Sequence, residues 1–123
     1  IISFSFRQGI PREADLVFDV RFLRNPHYID ELRTLTGHDP RVGNYVSKDP
    51  DFTEFMNKLE GMMALLLPRF KGEGKSYLTV AIGCTGGRHR SVFTAQRLYD
   101  AISAPDMQIQ LYHRDIDQTS GVS

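Results

Sequence analysis

Hydrophobic and polar positions alternate at period two along Ile2-Ser3-Phe4-Ser5-Phe6, which predicts a strand with Ile2, Phe4 and Phe6 on one face. Gly9-Ile10-Pro11 interrupts the pattern. Alternation resumes over residues 15–23, where Leu16, Phe18, Val20 and Phe22 share a face. Asp19 and Arg21 fall on the opposite face, about 7 Å apart and within reach of each other. A polar stretch through Pro26-His27-Tyr28 leads to a short helical segment and a turn around Gly37.

Asp49 suits a helix N-cap, Pro50 the first helical position, and Asp51 the positive helix end. Behind them Phe52, Phe55, Met56, Leu59, Met62, Met63 and Leu66 recur at helical spacing, a core stripe that Pro68 and Gly72 end or kink. Residues 75–83 form a third strand, and the run Leu78, Val80, Ala81, Ile82 suggests burial on both faces, as in a parallel sheet. After a tight glycine-bearing loop, a helix over residues 90–102 turns Val92, Ala95, Leu98, Tyr99 and Ile102 inward. Pro105 punctuates, and residues 107–113 alternate as a last strand. The unit over residues 77–112 reads as a right-handed crossover between parallel strands. The expected fold is α/β, a small three-layer-type domain with a mostly parallel sheet of about four strands.

The 123 residues and 14.0 kDa fit one domain and need no disulfide or metal staple. A folded domain over residues 1–114 and a flexible tail over 115–123 are expected. The longest apolar run, over residues 62–67, is far short of the roughly 20 needed to span a bilayer. A single cysteine excludes an internal disulfide, and a reducing, cytoplasmic compartment is the default. The chain starts at Ile1 without a signal-peptide pattern and reads as an excised domain.

Fifteen basic and 15 acidic residues cancel, so a globally basic nucleic-acid binder is not indicated. Their distribution is uneven. Between residues 68 and 97, Arg69, Lys71, Lys75, Arg88, Arg90 and Arg97 face only Glu73, whereas Arg114 alone opposes Asp100, Asp106, Asp115 and Asp117 thereafter. An anion site therefore belongs in the middle of the second half.

Gly83-Cys84-Thr85-Gly86-Gly87-Arg88-His89-Arg90-Ser91 fills that place, between a buried strand and a helix. Ligands in open parallel sheets bind beyond the carboxyl ends of the strands. A glycine loop there exposes amides, and the helix N-terminus adds partial positive charge. Arg88, His89 and Arg90 offer donors for a phosphate, with hydroxyls from Thr85 and Ser91. Gly74-Lys75-Ser76 imitates the end of a nucleotide P-loop, but position 69 is arginine and the run precedes a strand. Cys84 and Arg90-Ser91 also match the C-x5-R-[ST] pattern of cysteine-dependent phosphatases, in which a thiolate attacks phosphorus. No histidine precedes the cysteine and no general-acid aspartate follows from spacing. Phosphatase chemistry stays open as an alternative. His27, His38, His89, His113 and Cys84 show no metal-ligand spacing.

The run from Ser76 through Val92 resembles the hallmark of the RapZ (YvcJ-like) family. Phe6-Arg7 with Gly9-Ile10-Pro11, Asn25-Pro26-His27, Leu32-Arg33 and Leu35-Thr36-Gly37 follow in the same order, so the likeness covers residues 2 to 114. It is to that family's C-terminal domain alone. The resemblance implies a bacterial, cytoplasmic RNase adapter, homo-oligomeric and without a membrane segment, whose C-terminal unit is similar to a phosphofructokinase subdomain. ATP or GTP is expected only in the family's N-terminal P-loop domain, leaving this domain without cofactor and without catalysis. The partners implied are glucosamine-6-phosphate, a small regulatory RNA and an endoribonuclease. Cys84, Thr85, Gly86, Gly87, His89, Arg90 and Ser91 would hold the phosphate, with Asp19, Arg21 and His27 completing the pocket and Asp19 meeting the ammonium. Lys71, Lys75, Arg88 and Arg97 are the candidate RNA contacts. The basic tail of RNA-binding members is replaced here by Asp115-Ile116-Asp117-Gln118, which lowers the expected affinity for RNA. A pure RNA-binding module is the second alternative.

Overall fold

A computed structural model describes residues 1–102 and 107–118. Strands β1 (Ile2–Ser5), β2 (Leu16–Asp19), β3 (Val80–Cys84) and β4 (Tyr112–His113) form one sheet in the order β2-β3-β1-β4. Every pairing is parallel. Helices α1 (Asp30–Arg33), α2 (Pro40–Ser47) and α3 (Phe52–Gly72) join β2 to β3, and α4 (Arg90–Ala101) follows β3. The α/β class and the parallel sheet agree with the sequence pattern.

All five residues of β3 are buried, as expected for an inner strand of a parallel sheet. Val80, Ile82 and Cys84 point to one side, into a core with Met56, Leu59 and Met63 of α3 and Ala95 and Leu98 of α4. On the other side the rings of Phe4 and Phe6 lie against Gly83, with ring centroids 4.8 Å apart. The segment after β1 runs over this second face, so the third layer is a loop with a 3-10 turn (Phe6–Gln8) rather than a helix.

Several strands are shorter than their patterns. β2 stops at Asp19 because the carboxylate accepts the Arg21 amide at 2.9 Å, closing a turn. Val20 and Leu23 still reach the core, but Phe22 is turned outward. Pairing at the start of β3 begins only at Thr79, whose carbonyl takes the amides of Asp15 and Leu16. β4 is confined to two residues. Met62 of the expected stripe is exposed, and α3 continues through Pro68 to Gly72 because the lost N–H bond falls on an exposed face. Helix α2 had no counterpart in the pattern. Yet Asp39 accepts the Arg41 amide ahead of Pro40, an Asp-Pro start like that of Asp49-Pro50. Pro105, Asp106 and residues 119–123 of the expected tail lie outside the described residues.

Candidate functional site

The 84–91 loop springs from the carboxyl end of β3, beside the ends of β1 and β2. Gly87 has φ 72°, a left-handed conformation in which glycine avoids strain. A methyl there would stand 2.9 Å from the Asp115 Cβ and the Ser5 amide. The hydroxyl of Ser5 donates to the Thr85 carbonyl at 2.7 Å, and the Gly37 amide donates to the Arg88 carbonyl at 2.8 Å. The loop is thus clamped from both sides. Among the described residues, its amides at Thr85, Gly86, Gly87 and Arg88 donate no hydrogen bond. The amides of Arg90, Ser91 and Val92 open α4 without intrahelical acceptors, and His89 provides no side-chain cap. Unengaged amides and a helix N-terminus therefore meet at one point.

Arg90 lies beneath them. The residue is 3% exposed, and its guanidinium donates to the carbonyls of Arg21 at 2.6 Å and Leu23 at 3.1 Å, and to Thr85 Oγ1 at 3.4 Å. Its Nε has no partner, and among the described residues no carboxylate forms an ion pair with it. Burial pushes its pKa down, while the Cys84 and Asp19 charges push it up. Asp19 is already engaged. Arg21 holds it at 2.6 and 3.0 Å while lying 3.9 Å above the Phe6 ring, and that pairing lowers the Asp19 pKa. With its backbone bond included, Asp19 accepts four contacts, which fill the lone pairs an ammonium would use.

Three of the sequence-nominated phosphate ligands point elsewhere. Cys84 Sγ is fully buried and donates to Ser91 Oγ at 3.1 Å, itself fully buried. The strand pleat that turns Val80 and Ile82 into the core turns Cys84 there too. A thiol so placed does not reach a phosphorus atom, which removes the structural basis of the phosphatase reading. His89 is also fully buried, and desolvation lowers its pKa to about 4, so it contributes no positive charge at neutral pH. His27 is half-buried, its ring edge-on to Tyr28 at 5.4 Å, and Arg33 Nε donates to its carbonyl at 2.7 Å.

The structure therefore gathers Asp19, Arg21, Thr85, Gly86, Gly87 and Arg90 at the strand ends. The nominated RNA contacts are not gathered. Lys71 lies at the C-terminal end of α3, and Lys75, paired with Asp15 at 2.9 Å, precedes β3. Arg88, at the other end of the sheet, donates to the carbonyls of Ile116 and Thr34. Arg97 lies over the Phe52 and Phe93 rings on α4. Among the described residues no group of three His, Cys, Asp or Glu side chains could hold a metal ion, and no helix is long and apolar enough to cross a membrane.

Asp115 is a residue the sequence reading misplaced. Expected in the tail, it is 4% exposed, and its carboxylate accepts the Ser5 amide at 2.7 Å and the Arg114 guanidinium at 2.9 Å. Its partner in β1 is 110 positions away, and no local pattern signals such a pairing.

The class so defined is an α/β domain with an amide-rich loop over a buried arginine at the ends of parallel strands. The family described as the RapZ C-terminal domain matches residues 1–117, and the chain belongs to it. A nucleotide-binding protein of Rhodospirillum rubrum is 56% identical over 119 residues, 97% of this chain and 37% of the relative. One of Paramagnetospirillum magneticum is 54% identical, with 96% and 39% covered. One of Caldanaerobacter subterraneus subsp. tengcongensis is 54% identical, with 96% and 42% covered. The chain spans about two-fifths of the length of these relatives.

Proposed function

We propose that this domain is a non-catalytic sensor that binds a phosphorylated amino sugar, of the glucosamine-6-phosphate kind, at the 84–91 loop. The carrying observation is Arg90: a buried arginine with an unpartnered Nε and, among the described residues, no ion-paired carboxylate. A buried charge is costly until an opposite charge compensates it. The free amides of Thr85, Gly86, Gly87 and Arg88 suit that compensating group to be a phosphate. In this reading Arg90 acts through its field and its Nε rather than as a two-pronged clamp, since Nη1 holds two carbonyls and Nη2 the Thr85 hydroxyl. An amine on the ligand competes with Arg21 for Asp19, and the half-exposed pair leaves room for that exchange. Within a longer RapZ-type protein the bound sugar phosphate would be the signal the adapter reads. The dispersal of Lys71, Lys75, Arg88 and Arg97 gives an RNA surface on this domain less support.

Thermal melts in glucosamine-6-phosphate, glucose-6-phosphate and inorganic phosphate at matched ionic strength test the reading. A ligand at 100 times its Kd adds about 2.7 kcal/mol, a shift of several degrees. Selective stabilisation by the amino sugar phosphate is expected. Equal shifts by all three would overturn the sugar assignment, and no shift with any would overturn the site.

A further inference from the structure

The turn after β4 touches the anion loop through residues that hold no ligand. Asp115 Oδ2 accepts the Ser5 amide at 2.7 Å, and the Ser5 hydroxyl in turn donates to the Thr85 carbonyl at 2.7 Å. The Asp115 Cβ abuts Gly87 at a distance that excludes any side chain there. One residue further, Arg88 Nε donates to the Ile116 carbonyl at 3.3 Å. Arg114 closes the arrangement, binding Asp115 Oδ2 at 2.9 Å and the Gly9 carbonyl at 2.6 Å. Three loop positions with an amide offered to the ligand, Thr85, Gly87 and Arg88, are thereby each in touch with this turn or with Ser5 beneath it.

We propose that Asp115 is a positioning residue for the anion loop, and that ligand occupancy and the docking of residues 114–118 are thermodynamically linked. The inference rests on the anion-site reading above and adds its regulation. Asp115 is unsuited to touching a phosphate itself, being a carboxylate. It acts by fixing Ser5 and by bearing on Gly87, so that the amides stay aligned in the absence of ligand. Linkage is reciprocal: if the docked turn favours the ligand, the ligand favours the docked turn by the same factor. An event that pulls this turn away weakens the site.

The test measures binding of inorganic phosphate and glucosamine-6-phosphate by calorimetry in the wild type, Asp115→Ala and Asp115→Asn. Amide hydrogen exchange in the wild type, with and without saturating ligand, supplies a readout that needs no variant. Asp115→Ala is expected to weaken binding about tenfold, within the usual range for coupled sites. Asp115→Asn keeps an oxygen for the Ser5 amide and is expected to restore most of that loss. Ligand should slow exchange at Ser5, Arg114 and Gln118, whose amides bond to Asp115, Ser3 and Asp115, more than at Glu73 at the end of α3. Undiminished affinity in a folded Asp115→Ala, or equal slowing at all four amides, would overturn the linkage alone. A wild type that binds neither ligand would overturn the site reading and the linkage with it. If Asp115→Ala does not fold, Asp115→Asn and the exchange data decide the matter.

Discussion

His89 makes stability depend on pH in a window above the one in which Asp15, Asp19 and Asp39 act. In the unfolded chain its pKa is near the ordinary 6.5, while burial holds it at about 4 in the fold. Below pH 6.5 the unfolded state takes up a proton that the folded state refuses, so stability falls as the pH falls, until both states are protonated below about 4. Each pH unit in that window is worth about 1.4 kcal/mol, so the wild type should lose about 2–3 kcal/mol between pH 7 and pH 4.5 through this residue. That is a large part of a typical 5–15 kcal/mol. Asp15, Asp19 and Asp39 have pKa values lowered by their partners, so their stabilising effect is lost only below an unfolded value of 3.8. Burial lowers the His113 pKa to about 4 as well, so this residue, beside His38, adds a loss in the same window. Urea unfolding of the wild type and His89→Gln at pH 7 and 4.5 isolates the effect. The variant is less stable at pH 7 but its pH-dependent loss is smaller by about 2–3 kcal/mol. Equal losses in the two proteins would refute the argument.

Gly87→Ala forces a side chain into a φ of 72° and against Asp115, so about 1–3 kcal/mol of strain is expected. Stabilisation by glucosamine-6-phosphate should also disappear in thermal melts; a ligand shift like the wild type's would refute the loop's role. Gly37→Ala would bring a methyl 2.5 Å from the His89 carbonyl and 2.6 Å from the Phe93 amide. Since backbone cannot step aside as a side chain can, a loss of about 1–3 kcal/mol or more is expected in urea unfolding, and wild-type stability would contradict the packing. Cys84→Ser should leave aryl phosphate turnover at the uncatalysed rate, as in the wild type; activity abolished by the substitution would restore the phosphatase reading.

The position of the site was legible because it is local. Glycines, cations and hydroxyls cluster between a buried strand and a helix, and strand ends in parallel sheets are where ligands bind. Which way each side chain faces was only partly legible. Cys84 shares its pleat side with Val80 and Ile82, so its burial follows from alternation, but a motif match drew it toward catalysis. Helix α2 was readable in principle, since Asp39-Pro40 precedes Val42 and Val46 at helical spacing, both buried. What could not be read is long-range. Arg90 spends its donors on the carbonyls of Arg21 and Leu23, 69 and 67 positions away, and Asp115 spends its carboxylate on Ser5.

These non-local contacts change the chemistry assigned to the loop. A sequence containing Arg88, His89 and Arg90 suggests three cations grasping an anion from outside. In the fold His89 is neutral, Arg88 is turned to the Thr34 and Ile116 carbonyls, and Arg90 lies beneath the free amides, bonded to two carbonyls and the Thr85 hydroxyl and, among the described residues, ion-paired to no carboxylate. Specificity then rests less on the number of charges than on the fixed geometry of backbone donors. Such geometry is preserved by what packs behind the loop, namely Ser5, Gly37 and Asp115. Substitutions at those supporting positions should therefore affect anion binding as strongly as substitutions among the exposed cations, an ordering that a site built from free arginines would reverse.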